Sequence, residues 1–249
     1  MAIKKAKMIA VTSVKGGVGK TTISINLAAT FAQTQKTLLV DLDLFNNAVN
    51  TSLNVESKSD IFIMSEDIEN NRFTQVEDYI TKYSDNLDLL ASPKDPRTAN
   101  MVSGKVIMQI INKLKTKYDV IVFDTNNFIG EVNLVTFDIV DEILYVVSND
   151  PIDLKNMRTM SSIYQDMERD NFKILLYEAK DNQKDYFNKY DIKNIIKKEI
   201  DYTIPRSFYI KDIDRYIIDG KILVLDNKIR KNHADTLKVF DKIAKDIME

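Results

Sequence analysis

Short apolar runs alternate along this chain with longer stretches whose apolar positions recur at helical spacing, and that alternation predicts its elements. KMIAVTSV (7–14) is apolar and β-branched and runs into glycines, while TTISINLAATFAQ (21–33) repeats its apolar positions every three or four residues. A strand, a loop and a helix are therefore predicted in that order. KTLLVDLD (36–43) reads as a second buried strand that ends in Asp41 and Asp43, and NLDLLASP (86–93) as a third, stopped by Pro93. SGKVIMQIINKLKTKY (103–118) is an amphipathic helix, and DVIVFDTNN (119–127) is a continuous apolar strand that ends in Asp124. EILYVVSNDP (142–151) and FKILLYEAK (172–180) repeat the strand pattern on either side of a predicted helix, DLKNMRTMSSIYQDME (153–168). Continuous apolar strands that alternate with helices predict an α/β fold, a mostly parallel sheet covered by helices on both faces.

Elsewhere the pattern is weaker. NVESKSDIFIMSEDIENNRFTQVEDYITKYSD (54–85) is polar and acidic and reads as surface helix and loop. YDIKNIIKKEI (190–200) predicts a helix, DYTIP (201–205) a short extended segment, and NHADTLKVFDKIAKDIM (232–248) a terminal helix. With 249 residues, 44% apolar content, six glycines and four prolines, no linker-like tract divides the chain, and one domain over 1–249 is expected. The 35 basic and 37 acidic residues leave a net charge of −2, so any attraction to nucleic acid or membrane must come from a local patch. Zero cysteines exclude disulfides, thiolate metal sites and a cysteine-held iron–sulfur cluster. No run approaches about 18 uninterrupted apolar residues, so no membrane span and a cytoplasmic protein are expected.

The chemistry concentrates in SVKGGVGKTT (13–22). Against the phosphate-loop pattern G-x-x-x-x-G-K-[ST], Val14 stands where the first glycine belongs, and Gly19, Lys20 and Thr21 fill the remaining positions. Between a strand and a helix, Gly16, Gly17, Val18 and Gly19 can turn backbone N–H groups onto phosphate oxygens, and the helix N-terminus adds positive potential. Lys20 is expected to neutralise the β- and γ-phosphates, Thr21 to offer its hydroxyl to Mg2+, and Thr22 to complete the cradle. Asp41, Asp43 and Asp124 fall at carboxyl ends of strands, where open parallel sheets bind ligands. Asp124 then suits magnesium, and Asp43 suits orientation of an attacking water. Lys15 sits too early in the loop to repeat the work of Lys20, and a lysine there can reach across to a second subunit.

These residues carry a resemblance. KGGVGKTT together with VDLDLFNNA and DVIVFDTNN resembles the ParA/MinD superfamily of deviant Walker A ATPases, over most of the chain. The resemblance implies ATP and Mg2+ as cofactors and a homodimer that sandwiches two ATP molecules, with Lys15 contacting phosphates across the interface. It also implies that Lys20 is the phosphate lysine and Thr21 the magnesium hydroxyl. Asp43 matches the water-orienting carboxylate, Asp41 the acidic residue before it, here grouped with the metal, and Asp124 the Walker B aspartate. Three departures stand out. Thr125-Asn126-Asn127-Phe128 replaces a Pro- or Gly-containing switch, with Gly130 further on, and Tyr177 or Glu178 stands where relatives place an adenine-reading asparagine. DLDLFNN is closer to the pilus-assembly branch, CpaE/TadZ, and implies a protein partner in a pilus or positioning system.

Other segments carry weaker signals. Lys193 and Lys197 are placed on one helix face, and Lys228, Arg230 and Lys231 form a second basic group. Such groups can grip DNA phosphates, but in a chain of net charge −2 a solvated surface is the favoured reading. The terminal helix carries Leu237, Phe240, Ile243, Ala244 and Ile247 on one stripe, and its interleaved acids favour a packed helix over a membrane anchor. Membrane attachment is then expected only through a partner. No tyrosine follows Tyr216, unlike the tyrosine-rich tails of kinases that share this loop, and His233 reads as a surface or capping residue.

Overall fold

The computed structural model describes residues 5–179, 186–211 and 213–249. In chain order the elements are β1 (Lys7–Thr12), α1 (Lys20–Phe31), β2 (Thr37–Leu42), α2 (Ala48–Leu53), α3 (Ile61–Glu69), β3 (Thr81–Lys82), β4 (Leu87–Leu90), α4 (Gly104–Leu114) and β5 (Val120–Thr125). They continue with α5 (Glu131–Ile139), β6 (Glu142–Val147), α6 (Pro151–Asp166), β7 (Phe172–Tyr177), α7 (Lys189–Ile196), β8 (Tyr202–Ile204), α8 (Ile213–Ile218), α9 (Asn227–Asn232) and α10 (Ala234–Met248). Position 180, the last of the predicted strand over 172–180, lies outside the described residues.

One eight-stranded sheet runs in the order β3-β4-β2-β5-β1-β6-β7-β8, and every pairing is parallel except that of β3 with β4. The expected three-layer α/β architecture is therefore present. Because side chains alternate across a pleated strand, each central strand feeds both layers. Ile121 and Phe123 of β5 join one core with Ile107, Leu154 and Ile192, and Val120 and Val122 join the other with Leu27, Phe240 and Ile243. Helices α3 to α7 thus cover one face, and α1, α2, α9 and α10 the other. Burial on both faces explains the unbroken apolar runs of the inner strands.

Three expectations need correction. The segment 54–85 is not merely surface: Asp60 caps α3 by accepting the N–H groups of Phe62 and Ile63, and this aims Ile61 and Met64, both fully buried, into the core. The two-residue β3, antiparallel to β4, is too short to leave a periodic signal, and α5 lies in a stretch for which the apolar pattern predicts no element. The basic residues of α7 do not share a helix face either. The helix ends at Ile196, Lys197 takes a left-handed capping conformation (φ 62°), and Lys193 pairs with Glu199. The second basic group belongs to α9, which buries Ile229 on the opposite face of the sheet from Ile192 and Ile196 of α7, so the two groups do not adjoin in one chain.

The terminal helix packs as expected, with Leu237, Phe240, Ile243 and Ile247 buried against α1 and β8. His233, at the start of α10, makes no side-chain cap and instead stands edge-on to Phe208 at 5.4 Å. Among the described residues, no helix is long and apolar enough to cross a membrane.

Candidate functional site

The sheet order brings the site together. β1 lies between β5 and β6, so the loop leaving β1 emerges between the ends of two strands, one ending near Asp124 and the other leading to Asp150. Gly17 (φ 70°) and Gly19 (φ 107°) occupy backbone conformations that disfavour other residues, and the chain then enters α1 with Gly19 at its N-cap. Gly19 offers no side-chain cap to the first turn of α1, which leaves that end of the helix suited to an anion. Gly16 and Gly17 are exposed, Val18 is buried beneath them, and Thr21 and Thr22 are partly exposed at the helix start.

Close packing adds to the demand for glycine at position 19. A Cβ there would lie 2.9 Å from Cε1 of Tyr177, whose buried ring supports the loop from below, and burial pushes the Tyr177 hydroxyl up to about 12. Tyr177, one of two positions proposed to read adenine, therefore packs against the loop. The other, Glu178, donates its backbone N–H to the Ile204 carbonyl at 2.9 Å, beyond the paired part of β7 and β8. Gly19→Ala is expected to cost about 2 kcal/mol of stability, from left-handed strain together with the contact on Tyr177. Urea unfolding of the nucleotide-free protein measures it, and an unchanged midpoint would refute the packing argument.

The two loop lysines occupy different environments. Lys20 is buried and faces Asp124, Asp43 and Asp153; its pKa is lowered because loss of hydration outweighs these three carboxylates. A buried ammonium whose lost hydration the three carboxylates do not fully offset gains from the added negative charge of a polyphosphate. Lys15, at the other end of the loop, is half-exposed and donates to Asp150 at 3.0 Å. Asp150 is itself fixed as the N-cap of α6, accepting from the N–H groups of Ile152 and Asp153 ahead of Pro151. Asp-Pro at a helix start was the available sequence signal for this partner, and the strand pattern obscured it.

Asp124 sits beneath α1 with one oxygen accepting the Thr21 hydroxyl at 2.7 Å and the other the Ser24 hydroxyl at 2.7 Å. Burial raises its pKa to about 6, opposed by those two hydrogen bonds and by Lys20. A hydroxyl and a carboxylate in contact at the start of the phosphate-loop helix are the donor set that magnesium takes in phosphoryl transfer, so Thr21 and Asp124 fit that ion. Ser24, one turn beyond Thr21, completes the pair and gave no motif signal.

Asp41 differs from the expectation for it. Though in register with Asp124 across β2 and β5, it is fully buried and accepts from the N–H groups of Asp43 (3.0 Å) and Val49 (3.2 Å) and the hydroxyl of Ser92 (3.0 Å). Burial, with the neighbouring Asp124, raises its pKa well above the carboxylate range. Both oxygens of Asp41 are thus occupied by donors from the loop after β2, the first turn of α2 and Ser92, so a metal-ligand role does not fit its surroundings. Among the described residues, no group of three or more acidic or histidine side chains gathers as a metal cage. Asp43 is partly exposed at the mouth of the site, with both carboxylate oxygens 2.9 Å from Asn46 Nδ2.

The loop that replaces the expected Pro- or Gly-containing switch is organised by amides. Asn126 Oδ1 accepts from the Phe128 N–H (2.9 Å), and Asn133 Nδ2 donates to Asn126 Oδ1 (2.9 Å) and to the Phe128 carbonyl (2.6 Å). Phe128 itself is left exposed.

The AAA_31 family model, described as an AAA domain, matches residues 6–176. The virulence plasmid ParA family protein pGP5-D of Chlamydia psittaci is 27% identical over 234 residues, 91% of this chain and 81% of that protein. The tyrosine-protein kinase YwqD of Bacillus subtilis (strain 168) is 31% identical over 124 residues, 49% of this chain and 51% of the kinase. The chain thus spans about half the length of the first curated relatives it matches. In structure, a ParA family ATPase from Chlorobium tepidum TLS superposes with a TM-score of 0.80 at 19% identity, covering 99% of each chain. The septum site-determining protein MinD from Pyrococcus horikoshii OT3, solved with Mg-ADP, gives 0.78 at 19% identity over 97% of this chain and 96% of its own. At such identities these two likenesses establish the fold. The family match over residues 6–176 shows that the chain belongs to the AAA_31 family of AAA domains, and its sheet order and phosphate-loop position agree with the fold of these ParA and MinD structures.

Proposed function

We propose that this protein is an ATPase that works as a nucleotide-dependent dimerising switch. The separation of its two loop lysines carries the reading: Lys20 is buried among acids at the base of the loop, while Lys15 is held at the rim by Asp150. In this reading Lys20 and the loop N–H groups bind the phosphates, Thr21 and Asp124 hold magnesium, and Asp43 orients the attacking water. Magnesium held by Thr21 and Asp124 would supply positive charge that offsets the negative charge developing on the phosphates. Lys15 exchanges Asp150 for a phosphate of the second copy, so the γ-phosphate decides whether two copies stay together. The Mg-ADP in the MinD of Pyrococcus horikoshii supports the cofactor assignment.

The same switch would place a protein partner of a cell-envelope machine, and VDLDLFNNA favours the Tad/Flp pilus type over plasmid partition. The expected site in the cell is the cytoplasm, with any membrane contact made through that partner. Asp43→Ala tests the catalytic assignment: phosphate release is expected to fall about 100-fold while Mg-ATP still binds. Light scattering with Mg-ATP tests the switch, and a protein that stays monomeric would end this reading.

One observation favours a second reading, a nucleotide-gated platform with little hydrolysis: both oxygens of Asp43 are engaged by Asn46. Phosphate release by the wild type above that of Asp43→Ala would exclude it.

A further inference from the structure

Asp43 lies on a loop that one neighbouring carboxylate staples at both ends. Asp41 Oδ1 accepts the Asp43 N–H, and Asp41 Oδ2 accepts the N–H of Val49, in the first turn of α2. Asn47, the N-cap of α2, makes no side-chain cap of its own (φ 46°), so that first turn takes its acceptor from β2 below it. The rotation of the Asp41 carboxyl group therefore sets where the 43–49 loop lies and, with it, where Asp43 points. Val49 is anchored in the core at the far end of the loop, but the donor nearer the site, the Asp43 N–H, rides on the loop and can shift together with the carboxyl group. A third donor outside the loop is needed.

That donor is Ser92. It is fully buried just past the end of β4, the strand beside β2, and its hydroxyl reaches Asp41 Oδ2 at 3.0 Å. Its own backbone is tied down on either side: the Ala91 carbonyl accepts the Ile61 N–H at 2.9 Å, and the Lys94 N–H donates to Asp60 Oδ2 at 3.2 Å. Its hydroxyl donates to Asp41 and not to the phosphate loop or Asp43. It references the Asp43 loop to the start of α3, across β4 and β2.

We infer that Ser92 is a positioning residue for hydrolysis, which locks the Asp41 carboxyl group so that Asp43 is held in its water-orienting place. This rests on the ATPase reading above. Removing a hydrogen bond that orients a working group typically lowers activity about 10- to 100-fold, and Ser92 hydrogen-bonds Asp41 rather than the phosphate loop, so the loss is expected in turnover rather than in nucleotide affinity.

The test compares Ser92→Ala, Ser92→Thr and Asp43→Ala in the full chain. Ser92→Ala is expected to lower kcat about tenfold, keep Mg-ATP affinity within about twofold, and speed hydrogen exchange at the Asp43 and Val49 amides but not at the Asp60-capped Ile63 amide. Ser92→Thr, which keeps the hydroxyl, is expected to restore most of the turnover. Wild-type turnover in Ser92→Ala, unchanged exchange at Asp43 and Val49, or a loss of affinity as large as the loss of turnover would each overturn the inference. If Ser92→Thr does not fold, the exchange pattern of Ser92→Ala still decides. Should Asp43→Ala hydrolyse ATP like the wild type, the ATPase assignment of Asp43 fails and the inference with it. Should Asp43→Ala be inactive while Ser92→Ala is normal, only the role of Ser92 falls.

Discussion

Lys15→Ala is expected to abolish the ATP-dependent dimer and to lower phosphate release about 100-fold or more, while Mg-ATP binds each chain within about threefold of wild-type affinity. The expectation follows from geometry. Lys20 is buried at the start of α1 beside Asp124 and is, in the proposed reading, the cation of its own chain's site; Lys15 lies across the loop, half-exposed, with Asp150 as its partner. An exposed ion pair of this kind contributes at most about 1 kcal/mol, so breaking it costs little and the fold tolerates alanine. What alanine removes is a charge available to phosphates presented by a second copy. Light scattering with and without Mg-ATP, titration with a fluorescent ATP analogue and steady-state phosphate release separate the effects. Intact dimerisation in Lys15→Ala would show that the second lysine serves its own chain only. A parallel loss of binding would reassign it to the phosphate cradle.

Gly220→Ala is expected to be the most damaging small substitution for the fold, lowering stability by about 3 kcal/mol. Gly220 follows α8 with φ 63°, and a Cβ at that position would lie 2.2 Å from the carbonyl oxygen of Leu53 and 2.8 Å from its carbon. Both atoms are backbone, so no side chain can move aside, and the last turn of α2 would have to shift. The Gly220 carbonyl also accepts the Tyr83 hydroxyl at 2.9 Å, so the same residue joins α2, the segment between β3 and β4, and α8. Urea titration followed by circular dichroism should show a lower midpoint with an unchanged slope. A midpoint equal to that of wild type would mean that the close approach at Leu53 does not constrain the native chain.

The legible part of this protein was whatever local sequence controls. Unbroken apolar runs marked the inner strands because those strands are covered on both faces, and the glycines and lysines of 13–22 marked the loop because its working parts are covalent neighbours. Less was legible where an element is too short for a period, as in β3, or where a single cap outweighs polar composition, as in α3 behind Asp60. The basic residues of α7 and α9 look alike in sequence, and only packing on opposite faces of the sheet separates them.

The aspartates show the limit most clearly. Asp41 and Asp124 each follow an apolar strand and stand beside each other in register, so their local signals are the same. The sequence by itself determined that carboxylates would gather at this end of the sheet, next to a loop built for phosphate. Which of them serves that loop was decided by strand order. β5 adjoins β1 and places Asp124 under Thr21 and Ser24, while β2 lies one strand further out, about 4.8 Å, where α2 and Ser92 claim Asp41. Lys15 follows the same rule: its position in the loop is written in the chain, but its partner, Asp150, reaches it only because β6 pairs with the other side of β1.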